Sequence, residues 1–187
     1  FLHMSDVTFD MANNKMEVHN RYAESWKVTL VDTGELTQTG GRLKRIENYL
    51  DDTFCLTYGD GVSDININHL IKLHQQEGLE ITISAVQPAG RFGSLSISKN
   101  KVDKFLEKPK GDGQWINGGF MVCEPSILKR IKDDETILEQ GPLIGLANDG
   151  KMAVKKHKGF WSPMDTLRDR NYLEELWANN NAPWKIW

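Results

Sequence analysis

The sequence predicts an α/β fold: a mostly parallel sheet, mixed in its middle, flanked by helices. Three observations predict it. Short β-branched or apolar runs alternate with longer segments of helical spacing along the chain. The run at 54–58 is compact and apolar and ends in Gly59-Asp60-Gly61, as a buried strand leading into a turn does. Two short strands around the turn at Lys99-Asn100 interrupt the alternation and mix the sheet.

Each element has its own signal. Residues 27–31 are β-branched and short, so a strand is expected. In 41–50, Leu43, Ile46 and Leu50 stand at helical spacing. Residues 54–58 form the next strand. In 66–77, Ile67, Leu70, Ile71 and His74 make one helical stripe, with Gly78 as the stop. Strands follow at 80–86, 95–98, 102–107 and 119–123. Helices are expected at 125–132 and 138–147, and a strand at 152–156. The last helix runs over 166–178 with Tyr172, Leu173, Leu176 and Trp177 as its stripe. Trp184 and Trp187 follow a polar Asn179-Asn180-Asn181 link and are expected to dock on protein.

The length of 187 residues suits about one domain. Such a chain buries about two thirds or more of its unfolded surface, so it needs no metal or disulfide staple. A net charge of -3 offers no basic face for nucleic acid. No apolar run approaches the roughly 18 residues of a membrane span, and no signal-peptide pattern is visible. Cys55 and Cys123 each sit in an apolar run and read as two buried thiols in a reducing cytoplasm. The chain opens abruptly on Phe1-Leu2-His3-Met4, so an upstream extension is expected.

Sheets of this kind bind ligands outside the carboxyl ends of their strands. The sequence has no Gly-x-x-x-x-Gly-Lys-Ser/Thr loop, no Gly-x-Gly-x-x-Gly after a strand and no Gly-x-Ser-x-Gly elbow. His69 and His74 do not share a helix face, and no zinc site of standard spacing exists. An enzyme here works without a nucleophilic triad.

Four segments can carry chemistry, and each also has a plain structural reading. Asp60, between Gly59 and Gly61, is either part of a turn or a strand-end carboxylate for Mg²⁺, which takes one or two carboxylates with phosphate oxygens and water. Asp165 precedes the last helix and reads as its N-cap or as a second carboxylate for the same metal; the two roles are compatible. Glu107 and Lys108, before Pro109, form a charged turn or part of a sugar-phosphate pocket. Asn117-Gly118 forms a hairpin turn or joins that pocket. Thr37 to Arg42 open the first helix, where free amides favour an anion, or form an ordinary threonine-and-glycine start.

Taken together, "TGGRLKR", "TYGDG", "FLEKPKGDG", "INGGF" and "FWSPMDTLRDRNYLEELW" resemble the sugar-1-phosphate nucleotidyltransferases, and within them the cytidylyltransferase branch. The resemblance implies a Rossmann-like nucleotidyltransferase fold, with residues 1–187 as the C-terminal part of a single domain. The family's opening βα unit, with its glycine-rich loop, has no counterpart here. The implied reaction joins CTP and glucose 1-phosphate into CDP-glucose and pyrophosphate, feeding dideoxysugars of surface polysaccharide in a bacterial cytoplasm. The resemblance places Asp60 and Asp165 on Mg²⁺ and Lys108 on the sugar phosphate. Glu107, Asn117 and Gly118 then orient the hexose, and Thr37, Arg42 and Gly59 line the nucleotide side. It also implies a homo-oligomer, with no nucleic-acid or membrane partner. Two alternatives stay open: a related enzyme using another nucleoside triphosphate, and a non-catalytic module that binds a sugar phosphate and regulates a partner.

Overall fold

A computed structural model describes residues 5–21, 26–88, 90, 93–107, 109–110 and 114–186. The chain divides into two compact units, Phe1–Asp32 and Thr33–Trp187.

The first unit contains an antiparallel hairpin of β1 (Ser5–Asp10) and β2 (Lys15–Arg21), which the sequence reading did not foresee. Val7 pairs with Val18 and Phe9 with Met16, so one face is apolar. Asp10 closes the turn by accepting from the Asn13 backbone amide at 3.1 Å and from its side-chain amide at 2.7 Å. Residues 27–31, expected as a strand, join no ladder among the described residues. Val28 is 71% and Leu30 92% exposed; β-branched residues favour a strand only where a partner strand and a packed face exist.

The second unit is built on a mixed sheet in the order β3-β8-β5-β9, comprising β3 (Phe54–Thr57), β5 (Ile81–Val86), β8 (Ile116–Cys123) and β9 (Met152–Lys156). β3, β5 and β9 share one direction, while β8 runs antiparallel to both of its neighbours. β5 is buried almost throughout, which explains its unbroken Ile-Thr-Ile-Ser-Ala-Val sequence. Ile81, Met121, Cys123, Ile127 and Leu146 are essentially inaccessible and form the centre of the core. β3 alternates: Phe54 and Leu56 turn inward and Cys55 outward. The expectation of two buried thiols therefore holds for Cys123 and fails for Cys55.

Helices α1 (Thr39–Arg45), α2 (Ile67–Glu77), α3 (Pro142–Asn148) and α4 (Leu167–Ala178) accompany the sheet. The Asn66 side chain caps α2 by accepting from the His69 amide, and Gly78 ends it at φ 60. Three expected helices are shorter than their patterns. α1 passes into a 3-10 turn over Glu47–Tyr49. Residues 125–132 form only a 3-10 helix, Pro125–Arg130, which buries the adjacent pair Ile127 and Leu128 and no helical stripe. α3 begins at Pro142, whose missing amide and fixed φ suit a first turn, so Leu138 precedes the helix.

Two further strand pairs complete the unit. β6 (Ser94–Ser98) and β7 (Lys101–Leu106) form an antiparallel hairpin. β4 (Gly61–Ser63) and β10 (Trp161–Pro163) form a short antiparallel ribbon, which carries the end of β3 toward the start of α4. Trp184 docks on Phe160 with ring centroids 5.3 Å apart, as expected of the tail; Trp187 lies outside the described residues.

Candidate active site

The carboxyl end of β3 meets the β4–β10 ribbon and the start of β8 around a cleft. Its walls come from Thr57, Tyr58, Asp60 and Gly61, from Asn117 to Phe120, and from Trp161 and Pro163. The cleft encloses only about 40 Å³, well below the ~300–1,000 Å³ usual for small-molecule sites.

The ribbon brings Asp60 and Asp165 to one end of it. Gly61 pairs with Pro163, and the Met164 amide donates to the Asp60 carbonyl at 2.7 Å. Asp165 is the next residue. Both aspartates are exposed, and neither carboxylate has a hydrogen bond or ion pair among the described residues. Asp165 is not the cap of α4, as the sequence reading had allowed. Thr166 caps it by accepting from the Asp169 amide, and Asp169 returns a bond to Thr166. Helix capping therefore does not account for Asp165. The Trp161 indole donates to the Gly118 carbonyl at 2.8 Å and ties the ribbon to β8. This anchoring role of Trp161 was not anticipated from its place in the "FWSPMD" segment.

Asn117 and Gly118 do not form a hairpin turn. They lie within β8, where the register against β5 jumps between Ile83 and Ala85 to make a bulge. Asn117 Oδ1 accepts from the Gly119 amide at 2.9 Å. Gly119 sits at φ +77, and a Cβ there would come 2.7 Å from the Tyr58 ring. A Cβ on Gly118 would meet Ser84 Oγ at 2.7 Å and Val86 at 2.9 Å. The glycine pair lets the bulge press onto Tyr58 and β5.

Tyr58 is the hub beneath the bulge. Its hydroxyl donates to Glu139, and the Asn117 side chain hydrogen-bonds to it. Burial, with the Glu139 carboxylate close behind, pushes the Tyr58 phenol well above its ordinary value, so it stays neutral and donates. The other Glu139 oxygen accepts from Thr39 Oγ1 at 2.8 Å, and Thr39 Oγ1 accepts from the Leu138 amide at 3.0 Å. A polar chain thus runs from Asn117 in the cleft to the first residue of α1. Adjacency in sequence could flag Tyr58, but nothing local signals Glu139.

The start of α1 differs from the expected anion cradle. The Gln38 amide donates to the Asp134 carbonyl at 2.8 Å, and the Gly40 and Gly41 amides donate to the Thr136 carbonyl. A Cβ on Gly41 would lie 2.5 Å from the Asp134 carbonyl oxygen, so these glycines admit the 134–136 backbone. Arg42 donates to Thr33 Oγ1 and to the Glu35 carbonyl, bracing the preceding loop, and Thr37 is buried. Gly59 differs: a Cβ there would meet nothing within 4 Å. Glu107 follows β7 and is exposed, and its carboxylate lies beside Gly93. No described contact brings it to Asn117. Lys108 lies outside the described residues.

Comparison with known proteins agrees with this fold. The nucleotidyl transferase family profile matches residues 7–166. Glucose-1-phosphate cytidylyltransferase of Salmonella typhi is 54% identical over all of this chain and 74% of its own length. A probable glucose-1-phosphate cytidylyltransferase of Bacillus subtilis is 37% identical over 98% of this chain and 72% of its own. The chain thus spans about three quarters of these curated relatives. Among solved structures, HddC from Yersinia pseudotuberculosis aligns with a TM-score of 0.54 at 21% identity, over 76% of this chain and 64% of that one. A UDP-glucose pyrophosphorylase complexed with UDP-glucose aligns at 0.57 and 12%, over 79% and 64%. These two likenesses concern the fold alone. With a family match across most of its residues and a mixed sheet flanked by helices, the chain belongs to the nucleotidyl transferase family.

Proposed function

We propose that the protein transfers a cytidylyl group from CTP to glucose 1-phosphate, giving CDP-glucose and pyrophosphate. The observation that carries this reading is that the backbone of the β4–β10 ribbon brings Asp60 and Asp165, two exposed aspartates whose carboxylates have no hydrogen bond or ion pair among the described residues, to one end of the cleft. Sequence identity of 54% to a glucose-1-phosphate cytidylyltransferase supports the choice of substrates.

The nucleophile is an oxygen of the glucose phosphate. A phosphate monoester loses its second proton with a pKa of about 6, so at neutral pH no protein base is needed. That oxygen bonds to the α-phosphorus of CTP. The bond from the α-phosphorus to the α,β-bridging oxygen breaks, and pyrophosphate leaves with the electron pair. The protein's contribution is positioning and charge.

Asp60 and Asp165 are a donor set that fits Mg²⁺: two hard carboxylates, with room for phosphate oxygens and water. Bound there, Mg²⁺ would neutralise charge on the phosphates. Asn117 offers the hexose an amide already fixed at both ends by Gly119 and Tyr58. Gly118 keeps the wall beside it low. Lys108 and Glu107 complete the sugar-phosphate side. Gly59 leaves open space for the nucleotide, whereas Arg42 acts through the loop it braces and Thr37 lies buried. In this reading the protein works in the bacterial cytoplasm as a homo-oligomer; no described helix is long and apolar enough to cross a membrane.

Turnover by the protein with Mg²⁺, glucose 1-phosphate and each of CTP, UTP, dTTP and GTP tests the reading. Pyrophosphate release chiefly with CTP is expected. Preference for another triphosphate would move the protein to a different branch, and no release with any would favour a regulatory sugar-phosphate binder.

A further inference from the structure

The β4–β10 ribbon, which presents both aspartates, has only three residues per strand. A two-stranded ribbon of that length does not hold its own shape. The Met164–Asp60 bond fixes the end at the carboxylates. The opposite end converges on one atom, the Phe160 carbonyl oxygen. Ser63 Oγ donates to it at 2.7 Å, the Asp64 amide at 3.2 Å and His157 Nε2 at 3.2 Å. His157 Nε2 also stands 2.8 Å from Asp64 Oδ1. Carbonyl and carboxylate oxygens are both acceptors here, so Nε2 carries the proton. Asp64 Oδ1 is buried without an aligned hydrogen bond among the described residues, and the His157 ring nitrogen stands against it.

His157 is itself tied to the main sheet. Its backbone amide donates to the Ala85 carbonyl at 2.8 Å, and Ala85 pairs with Asn117 of the bulge. The space is closed: a Cβ on Gly159 would fall 2.5 Å from Asp64 Oδ1 and 2.7 Å from the His157 ring. Phe160 is held from outside by Trp184.

We infer that His157 is a positioning residue for the metal carboxylates: with Asp64 and Ser63 it locks the base of the β4–β10 ribbon to the main sheet and so sets where Asp60 and Asp165 meet. The inference rests on the proposed reading of those two aspartates. It predicts a defect greatest on the metal side of the site: Trp161 ties the ribbon to the Gly118 carbonyl, but Tyr58 and β5 also hold Asn117 and Gly118. Partners one shell out from a metal ligand commonly change its affinity by about 10–100-fold. The ribbon transmits the loss indirectly, so the lower end is expected here.

The test compares wild type, Asp60→Asn, His157→Ala, His157→Gln and, as a destabilised control, Ile131→Val in the distant core. The probe is Mn²⁺, with its dissociation constant from the CDP-glucose complex read by electron paramagnetic resonance. The Mg²⁺ half-saturation, the KM for glucose 1-phosphate and the thermal midpoint are measured beside it. His157→Ala should weaken Mn²⁺ and raise the Mg²⁺ requirement on the order of tenfold, leaving the KM for glucose 1-phosphate within about twofold. His157→Gln, whose amide can donate from a similar place, should recover part of the loss. Ile131→Val should lower the midpoint without moving either metal value. A His157→Ala protein with a lowered midpoint and wild-type Mn²⁺ affinity would overturn the inference. If it does not fold, His157→Gln and Ser63→Ala are judged by the same two metal values. Wild-type Mn²⁺ affinity in Asp60→Asn would instead remove the metal reading itself.

Discussion

Replacing Tyr58 by Phe removes one oxygen from the centre of the network joining the cleft to α1. The Glu139 carboxylate loses a donor, and the Asn117 side chain loses its partner on the phenol. Glu139 keeps Thr39 and is only half-buried, so a bond to a charged group is lost without full stranding. That costs about 1.5–3 kcal/mol. At roughly 2–4 °C per kcal/mol for a chain of this size, the midpoint should fall by about 3–12 °C. The pH dependence adds a second check. The folded phenol has its pKa raised by burial and by Glu139, above the unfolded value near 10. The associated stability is fully present below that unfolded value and is lost as pH climbs through it toward the folded one. The gap between wild type and Tyr58→Phe, measured by urea denaturation, should therefore be constant from pH 7 to 9 and shrink above about pH 10. The KM for glucose 1-phosphate should rise as Asn117 loosens. An unchanged midpoint, or a gap that widens at high pH, would refute this account of the hub.

Two glycines in the cleft should behave oppositely. Gly59→Ala has open space and should keep the wild-type midpoint while losing turnover, whereas Gly118→Ala should cost about 1–3 kcal/mol through contact with Ser84 and Val86, read by urea denaturation. Thr166→Ala should destabilise by about 1 kcal/mol through its lost cap, while Asp165→Asn should leave stability intact and abolish turnover. Trp184→Ala removes a ring contact worth about 0.5–1.5 kcal/mol beyond its buried area, and should lower the midpoint. Lys108→Ala should raise the KM for glucose 1-phosphate more than that for CTP, and separate titrations of the two substrates check it.

The parts of the fold with dense local signals were legible in the sequence. The stripe through Leu70 and His74 and the Gly78 stop define α2 without reference to anything distant. The apolar run 81–86 announces a central strand. What escaped depends on partners far along the chain. Residues 27–31 have strand composition but no ladder. The Gly40-Gly41 pair resembles a phosphate cradle until residues 134–136 are seen to occupy it. Asn117-Gly118 looks like a turn because its bulge exists only against β5. The candidate site divides the same way. Asp60 stands out between two glycines, and Asp165 gains weight once Thr166 is seen to cap α4. Glu139, Asp64 and His157 become visible only through contacts to residues remote in sequence.

The central claim is that Asp60 and Asp165 together hold the metal for nucleotidyl transfer. Its most direct test is the Mn²⁺ dissociation constant of the CDP-glucose complex in wild type, Asp60→Asn and Asp165→Asn, with folding verified by the thermal midpoint. The account predicts that each substitution weakens Mn²⁺ by at least about tenfold, since losing even an outer partner of a ligand commonly costs that much, in a protein that remains folded. Wild-type Mn²⁺ affinity in either folded variant would contradict it.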